Sequence, residues 1–110
     1  MRPSIKLGRN LAFGVPDKER ATAFYRDVIG MSVEQKADSY VGLNGGPMTI
    51  YVCEDDVQVP AFELVVEDVQ AATQFLLENG CTLAPDIHPG EVFVRDPFGY
   101  LFNVYKPSDE

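Results

Sequence analysis

The feature that most restricts the fold is an internal repeat. Asp17 and Asp68 head two copies of one pattern, 51 positions apart. Asn10 to Asp17 and Ala61 to Asp68 both read as an apolar strand that ends at a helix cap. At the same offset Ala21 matches Ala72, Thr22 matches Thr73 and Phe24 matches Phe75, and Gly30 matches Gly80 after a one-residue deletion. The carboxylates of Asp17 and Asp68 suit the unpaired N–H groups of a first helical turn. Ala21, Phe24, Tyr25 and Val28 fall at i, i+3, i+4 and i+7, which predicts one apolar stripe; Ala72, Phe75 and Leu76 repeat it. Gly30 and Gly80 supply the left-handed residue that commonly ends a helix.

Three shorter extended pieces follow each helix. In the first copy they are Ser32 to Ala37, Tyr40 to Leu43 and Met48 to Val52, turned by Asn44-Gly45-Gly46-Pro47. In the second they are Cys81 to Ala84, Glu91 to Arg95 and Leu101 to Tyr105, with Asp96-Pro97-Phe98-Gly99 as the last turn. The acidic stretch 54–60, closed by Pro60, reads as a linker. The expected plan is α+β: one domain over residues 1–110 made of two βαβββ modules, 5–53 and 61–107.

Composition narrows the function. A net charge of −8 argues against nucleic acid, which needs clustered Lys and Arg, and against an anionic membrane surface. No run is long enough to span a bilayer, and residues 1–6 lack the apolar stretch of a signal peptide. Cys53 and Cys81 fit neither a disulfide framework nor a CxxC site. A cytoplasmic protein with reduced thiols is expected.

Two stretches carry a resemblance. Asn10 to Asp17 with Ala23-Phe24-Tyr25-Arg26-Asp27-Val28-Ile29-Gly30-Met31 looks like the opening of the vicinal oxygen chelate superfamily, which includes glyoxalase I, bleomycin-resistance proteins, fosfomycin-resistance transferases and extradiol dioxygenases. Arg95-Asp96-Pro97-Phe98-Gly99-Tyr100-Leu101-Phe102-Asn103-Val104-Tyr105 resembles its closing hairpin. The resemblance implies paired βαβββ modules whose curled mixed sheets surround a cleft, and a homodimer that completes two clefts. It also implies a divalent metal in the enzymes, held by His, Gln or Glu. Here those positions fall on Asn10, Ala61, Asn103 and either Thr49 or Tyr51. None has a carboxylate or an imidazole, and amide oxygens are weak neutral ligands. The single histidine, His88, lies in the 86–90 loop. The expectation is therefore no metal, no cofactor and no catalytic residue.

Strand alternation assigns the rest. If Asn10 faces the cleft, so do Ala12 and Gly14, while Leu11, Phe13 and Val15 lie under the helix; by the same parity Ala61, Glu63 and Val65 face inward and Phe62, Leu64 and Val66 are core. Thr49, Tyr51, Leu101, Asn103 and Tyr105 point inward, and Tyr40, Phe93, Phe98 and Tyr100 form a mouth. The ligand-binding candidates are thus Asn10, Tyr40, Thr49, Tyr51, Glu63, Phe93, Tyr100, Asn103 and Tyr105. Such a wall suits a flat guest, and a carboxylate at Glu63 favours a cationic one. The resemblance then points to the bleomycin-resistance branch, whose members sequester a cationic antibiotic without transforming it. Plainer roles stand beside these. Tyr51 and Tyr105 also suit packing, Glu63 a solvated or subunit-contacting surface, and Asn10 and Asn103 a backbone-satisfying role. The leading expectation is a non-enzymatic, drug- or toxin-sequestering binder. The alternatives are a glyoxalase-, isomerase- or dioxygenase-type enzyme with an atypical or metal-free centre, and an accessory module with no ligand.

Overall fold

The computed structural model describes residues 2–55, 60–88 and 90–107. The chain forms two compact units, one holding Arg9–Pro60 and the other Met1–Gly8 with Ala61–Glu110. Among the described residues are eight strands, two α-helices and one π-helical turn, an α+β fold. In chain order they are β1 (Ile5–Val15), α1 (Lys18–Ala23), β2 (Ser32–Lys36), β3 (Tyr40–Asn44), β4 (Thr49–Glu54), β5 (Ala61–Val66), α2 (Val69–Glu78), β6 (Thr82–Leu83), β7 (Val92–Arg95) and β8 (Leu101–Tyr105). No helix among the described residues is long and apolar enough to cross a membrane.

In the Arg9–Pro60 unit the strand order is β2-β3-β4-β1. β1 runs parallel to β4, with Asn10 beside Thr49 and Ala12 beside Tyr51, and the other pairs are antiparallel. The parallel pair follows from the crossover through α1. Alternate residues Phe13, Val15, Val33, Val41, Leu43, Ile50 and Val52 cluster with Ala21, Tyr25 and Met31 under the helix; Val41, Leu43 and Val52 are fully buried. Asp17 caps α1 as expected, its carboxylate accepting from Arg20 N at 3.0 Å.

The single stripe expected on this helix does not hold past Ala23. Phe24 to Ile29 form a π-helical turn, closed by Gly30 N and Met31 N donating to the Tyr25 carbonyl at 3.1 and 3.0 Å. A turn that takes more than 3.6 residues rotates later side chains off the helical face. Tyr25 keeps its place against Phe13, with ring centroids 5.9 Å apart. Phe24 and Val28 are instead 48% and 68% exposed, and Thr22 is buried, its hydroxyl donating to the Lys18 carbonyl at 2.8 Å. Gly30 ends the turn at φ 98°.

The second unit repeats the plan in the order β5-β8-β7-β6, with β5 and β8 parallel. Asp68 accepts from Ala71 N at 3.0 Å, capping α2. Val66, Ala72, Val94 and Val104 are the core beneath α2, flanked by Val69, Leu76, Cys81, Val92 and Phe102. Ile5 of β1 packs into this same cluster. Phe62, expected in that core, lies outside it. It enters β5 four residues before Val66, is partly exposed, and sits 5.7 Å from the Phe102 ring. β4 runs on through Glu54, into the stretch read as linker; positions 56–59 of that stretch lie outside the described residues.

Candidate functional site

The sheet face turned away from α1 gathers part of the predicted set. Asn10, Ala12, Thr49 and Tyr51 share it by parity and register, with Tyr40 and Gly42 of β3 beside them. Asn10 and Thr49 are direct neighbours on paired strands. Tyr40 and Tyr51 meet edge to face, centroids 5.8 Å apart at 69°, the arrangement that ring quadrupoles prefer. Their position depends on Gly42: a Cβ there would stand 3.1 Å from Tyr51 Cε1 and 3.4 Å from Cδ1, so the ring lies where a side chain would be. Gln35 Nε2 donates to the Tyr40 hydroxyl oxygen at 2.9 Å, which leaves that hydroxyl's own proton for another acceptor.

A polar corner adjoins the aromatic pair. Thr49 Oγ1 donates to Glu34 Oε1 at 3.1 Å. Glu34 shares the face of Ser32, Asn44 and Thr49 by alternation, and the β2–β3 register slip between Val33 and Gln35, which pair with Leu43 and Gly42, brings Gln35 onto that face as well. A bulge of this kind re-aims a side chain that strict alternation would misplace. Neither Glu34 nor Gln35 belongs to the expected set. Gly42 could have been suspected, since a lone glycine between Val41 and Leu43 inside a strand marks close approach.

In the other unit the helix-averted face carries Ala61, Glu63 and Val65 of β5, paired with Leu101, Asn103 and Tyr105 of β8. Its two ends differ. At one, Ala61, Phe93 and Leu101 are buried under Ala84 and Ile87, and Leu101 is 1% exposed. Phe93, read as part of a mouth, is thus an interior residue beneath the loop that follows β6. Further along, Glu63 is half-buried beside Asn103, whose Nδ2 donates to the Val92 carbonyl at 3.1 Å. Tyr105 is partly exposed at the far end of the strand. Phe98 and Tyr100 stand apart in the 96–100 turn, where Asp96 Oδ1 accepts from Phe98 N and Tyr100 N, each at 2.9 Å. They are well exposed, Phe98 at 83%. His88 belongs to the loop and pairs with Glu91, Nδ1 to Oε2 at 3.0 Å.

The residues at the metal positions implied by the resemblance do not fit a divalent ion. Ala61 offers no donor and is packed in an apolar cluster. The Asn103 amide is turned to a backbone carbonyl through its nitrogen. Thr49 presents a neutral hydroxyl engaged by Glu34. A catalytic ion needs three or four strong donors, and these positions do not supply them. The Arg9–Pro60 face presents an aromatic pair beside amide and hydroxyl groups and the Glu34 carboxylate, and the face of the other unit, taken by itself, carries Glu63 beside Asn103.

Comparison with known proteins places this geometry in a family. Residues 10–104 match the model of the Glyoxalase/Bleomycin resistance protein/Dioxygenase superfamily. No curated protein matches the chain significantly. Among solved structures, homoprotocatechuate 2,3-dioxygenase from Brevibacterium fuscum, in its anaerobic complex with 3,4-dihydroxyphenylacetate, superposes with a TM-score of 0.74 at 21% identity. The match covers 97% of this chain but 38% of the dioxygenase, so the chain spans well under half of that enzyme. The homoprotocatechuate 2,3-dioxygenase of Arthrobacter globiformis gives 0.71 at 21% identity, over 97% and 38% of the two chains. A glyoxalase/bleomycin resistance protein/dioxygenase superfamily member from Vibrio splendidus 12B01 gives 0.69 at 19% identity, over 93% of this chain and 100% of that one. At such identities the likeness is one of fold. With the family model spanning residues 10–104, the chain belongs to the Glyoxalase/Bleomycin resistance protein/Dioxygenase superfamily.

Proposed function

We propose that the protein binds a small planar organic compound, aromatic and carrying a cationic or hydrogen-bonding group, and sequesters it without a resident metal. The observation that carries this reading is the Tyr40–Tyr51 pair seated on Gly42, with the Tyr40 hydroxyl oriented by Gln35. Preset aromatic surface is useful to a binder because little side-chain freedom is lost when a flat guest arrives. The polar corner of Asn10, Thr49 and Glu34 gives such a guest a direction. The dioxygenase from Brevibacterium fuscum holds 3,4-dihydroxyphenylacetate, itself a flat ring with polar substituents, on a similar fold. A role in resistance to a drug or toxin, exercised as a cytoplasmic homodimer, is part of the same proposal.

The chain has no tryptophan, and two of its five tyrosines, Tyr40 and Tyr51, form the pair, so part of the tyrosine emission reports on the site. Titration with a panel of planar aromatic cations and catechols should quench it, and Tyr51→Ala should weaken that quenching several-fold. A second reading, ring-cleaving or isomerising chemistry, is favoured by the fold likeness to extradiol dioxygenases. Near-stoichiometric metal that survives dialysis, together with turnover of a catechol, would replace the first reading with the second. Sedimentation at micromolar concentration tests the dimer.

A further inference from the structure

The hydroxyl of Tyr40 has its hydrogen-bonding sense set from β2. Gln35 Nε2 donates to the hydroxyl oxygen at 2.9 Å, and among the described residues nothing accepts the hydroxyl's own proton. An amide nitrogen has protons to give and no lone pair to receive one. The Tyr40 O–H must therefore turn away from Gln35, where it is offered to an incoming acceptor. Gln35 reaches this place through the β2 register slip: it pairs with Gly42, directly after Val33 has paired with Leu43. Its Cβ stands 3.5 Å from the Cβ position that Gly42 leaves open, beside the Tyr51 ring. Regular alternation from Val33 would carry Gln35 to the side of the α1 core, away from Tyr40. Gln35, Tyr40, Gly42 and Tyr51 all lie in the Arg9–Pro60 unit.

We propose that Gln35 is a specificity-determining residue: brought to this face by the β2 slip, it holds the Tyr40 hydroxyl as a donor. The protein then selects planar guests whose edge carries an acceptor, a carbonyl or a ring nitrogen, over guests whose edge carries an N–H or O–H. Gln35 is a positioning residue and acts through Tyr40. The inference rests on the small-molecule-binding reading above, to which it adds the hydrogen-bonding polarity of the guest's edge. A phenol free to rotate can give or take a hydrogen bond and discriminates little. One whose oxygen is already engaged by an amide pairs well with an acceptor, whereas a donor must compete with Gln35 for the same oxygen.

The test uses probes of one tricyclic shape: 9-fluorenone with a carbonyl acceptor, carbazole with an N–H donor, and fluorene with neither. Affinities are measured by equilibrium dialysis at pH 8 on the full chain. Wild type should bind 9-fluorenone about fivefold more tightly than carbazole, which corresponds to about 1 kcal/mol, the size of one net hydrogen bond. Gln35→Leu frees the hydroxyl to rotate, and the ratio should fall to within about twofold of one. Gln35→Glu supplies a carboxylate that takes the Tyr40 proton, and the ratio should fall to one or below. Fluorene affinity should stay unchanged in both variants, a pattern that loss of structure would not give. If circular dichroism finds Gln35→Leu unfolded, Gln35→Glu decides alone. A wild-type ratio that persists in either folded variant overturns the role of Gln35. A ratio near one in wild type, or a preference for carbazole, overturns acceptor selection while leaving guest binding intact. No binding of any probe by wild type removes both this inference and the reading beneath it.

Discussion

Replacing Gly42 by Ala probes the aromatic pair without touching either ring. The new Cβ would lie 3.1 Å from Tyr51 Cε1, 3.4 Å from Cδ1 and 3.5 Å from Gln35 Cβ. Carbon atoms prefer about 3.5–4.0 Å, so the ring must retreat by at least ~0.4 Å, the difference between 3.5 and 3.1. Two stability effects then oppose one another. Overpacking of this small size costs about 1 kcal/mol, and exchanging a strand glycine for alanine returns roughly 0.5–1 kcal/mol of chain entropy. Stability should therefore move by less than about 1 kcal/mol, a few degrees in Tm for a domain of this size. Binding has no such offset. The retreat disturbs an edge-to-face contact worth roughly 0.5–1.5 kcal/mol and tilts the surface on which a flat guest would lie. Tyrosine-quenching titration with N-methylacridinium should give an affinity lower by about three- to tenfold, with Tm nearly unchanged. An unaltered affinity, with Tyr51→Ala also unaltered, would refute the claim that these rings form the binding surface.

Other substitutions test separate parts of the structure. Leu43→Ala, at a position with no exposure, should cost about 2–5 kcal/mol and lower Tm by roughly 10–20 °C in a thermal melt. Val28→Asp should lie within about 0.5 kcal/mol of wild type because the π-helical turn leaves Val28 outside the core, whereas Tyr25→Ala should cost several times more in urea unfolding. Asp17→Ala removes the α1 cap and should cost about 1 kcal/mol by the same assay. Burial, aided by the charge of Asp96, pushes the Cys81 thiol up from its ordinary range. At pH 8 iodoacetamide should modify it more slowly than an unstructured cysteine. Because the folded state holds that proton more tightly, its stabilising effect is complete below about pH 8.5, the ordinary thiol value, and fades as pH rises past it. A Cys81→Ser variant should lack that alkaline loss.

The sequence was most informative where the determining physics is local. Asp17 and Asp68 cap their helices because a carboxylate three residues before a free N–H is a property of the chain itself. Phe13, Val15, Val41, Leu43 and Val52 lie under α1 because strand alternation survives folding. The misses came where tertiary structure sets the register. Phe24 and Val28 satisfy helical spacing, yet the segment turns with π-helical width, as in the bond from Gly30 N to the Tyr25 carbonyl, and leaves them exposed. Gln35 follows a β2 register slip, so strict alternation from Val33 would have put it on the core side. Phe93 has the alternation of a face residue, but the 84–88 loop folds Ile87 across it, a contact with no signal in the strand. Gly8 and Gly42 look like weaknesses in their strands until the atoms filling their missing side chains are seen.

Finally, β1 is divided between the two units: Ile5 belongs with Val66, Ala72, Val94 and Val104, while Phe13 and Val15 belong with Val41 and Val52. Ile5 must therefore wait for partners that lie some 60 to 100 positions downstream. Closing contacts over such separations is slow. The Arg9–Pro60 unit holds its own set of neighbours and can form early during synthesis. The other must reach back for the start of β1, so its maturation is the step most open to interruption by a competing strand.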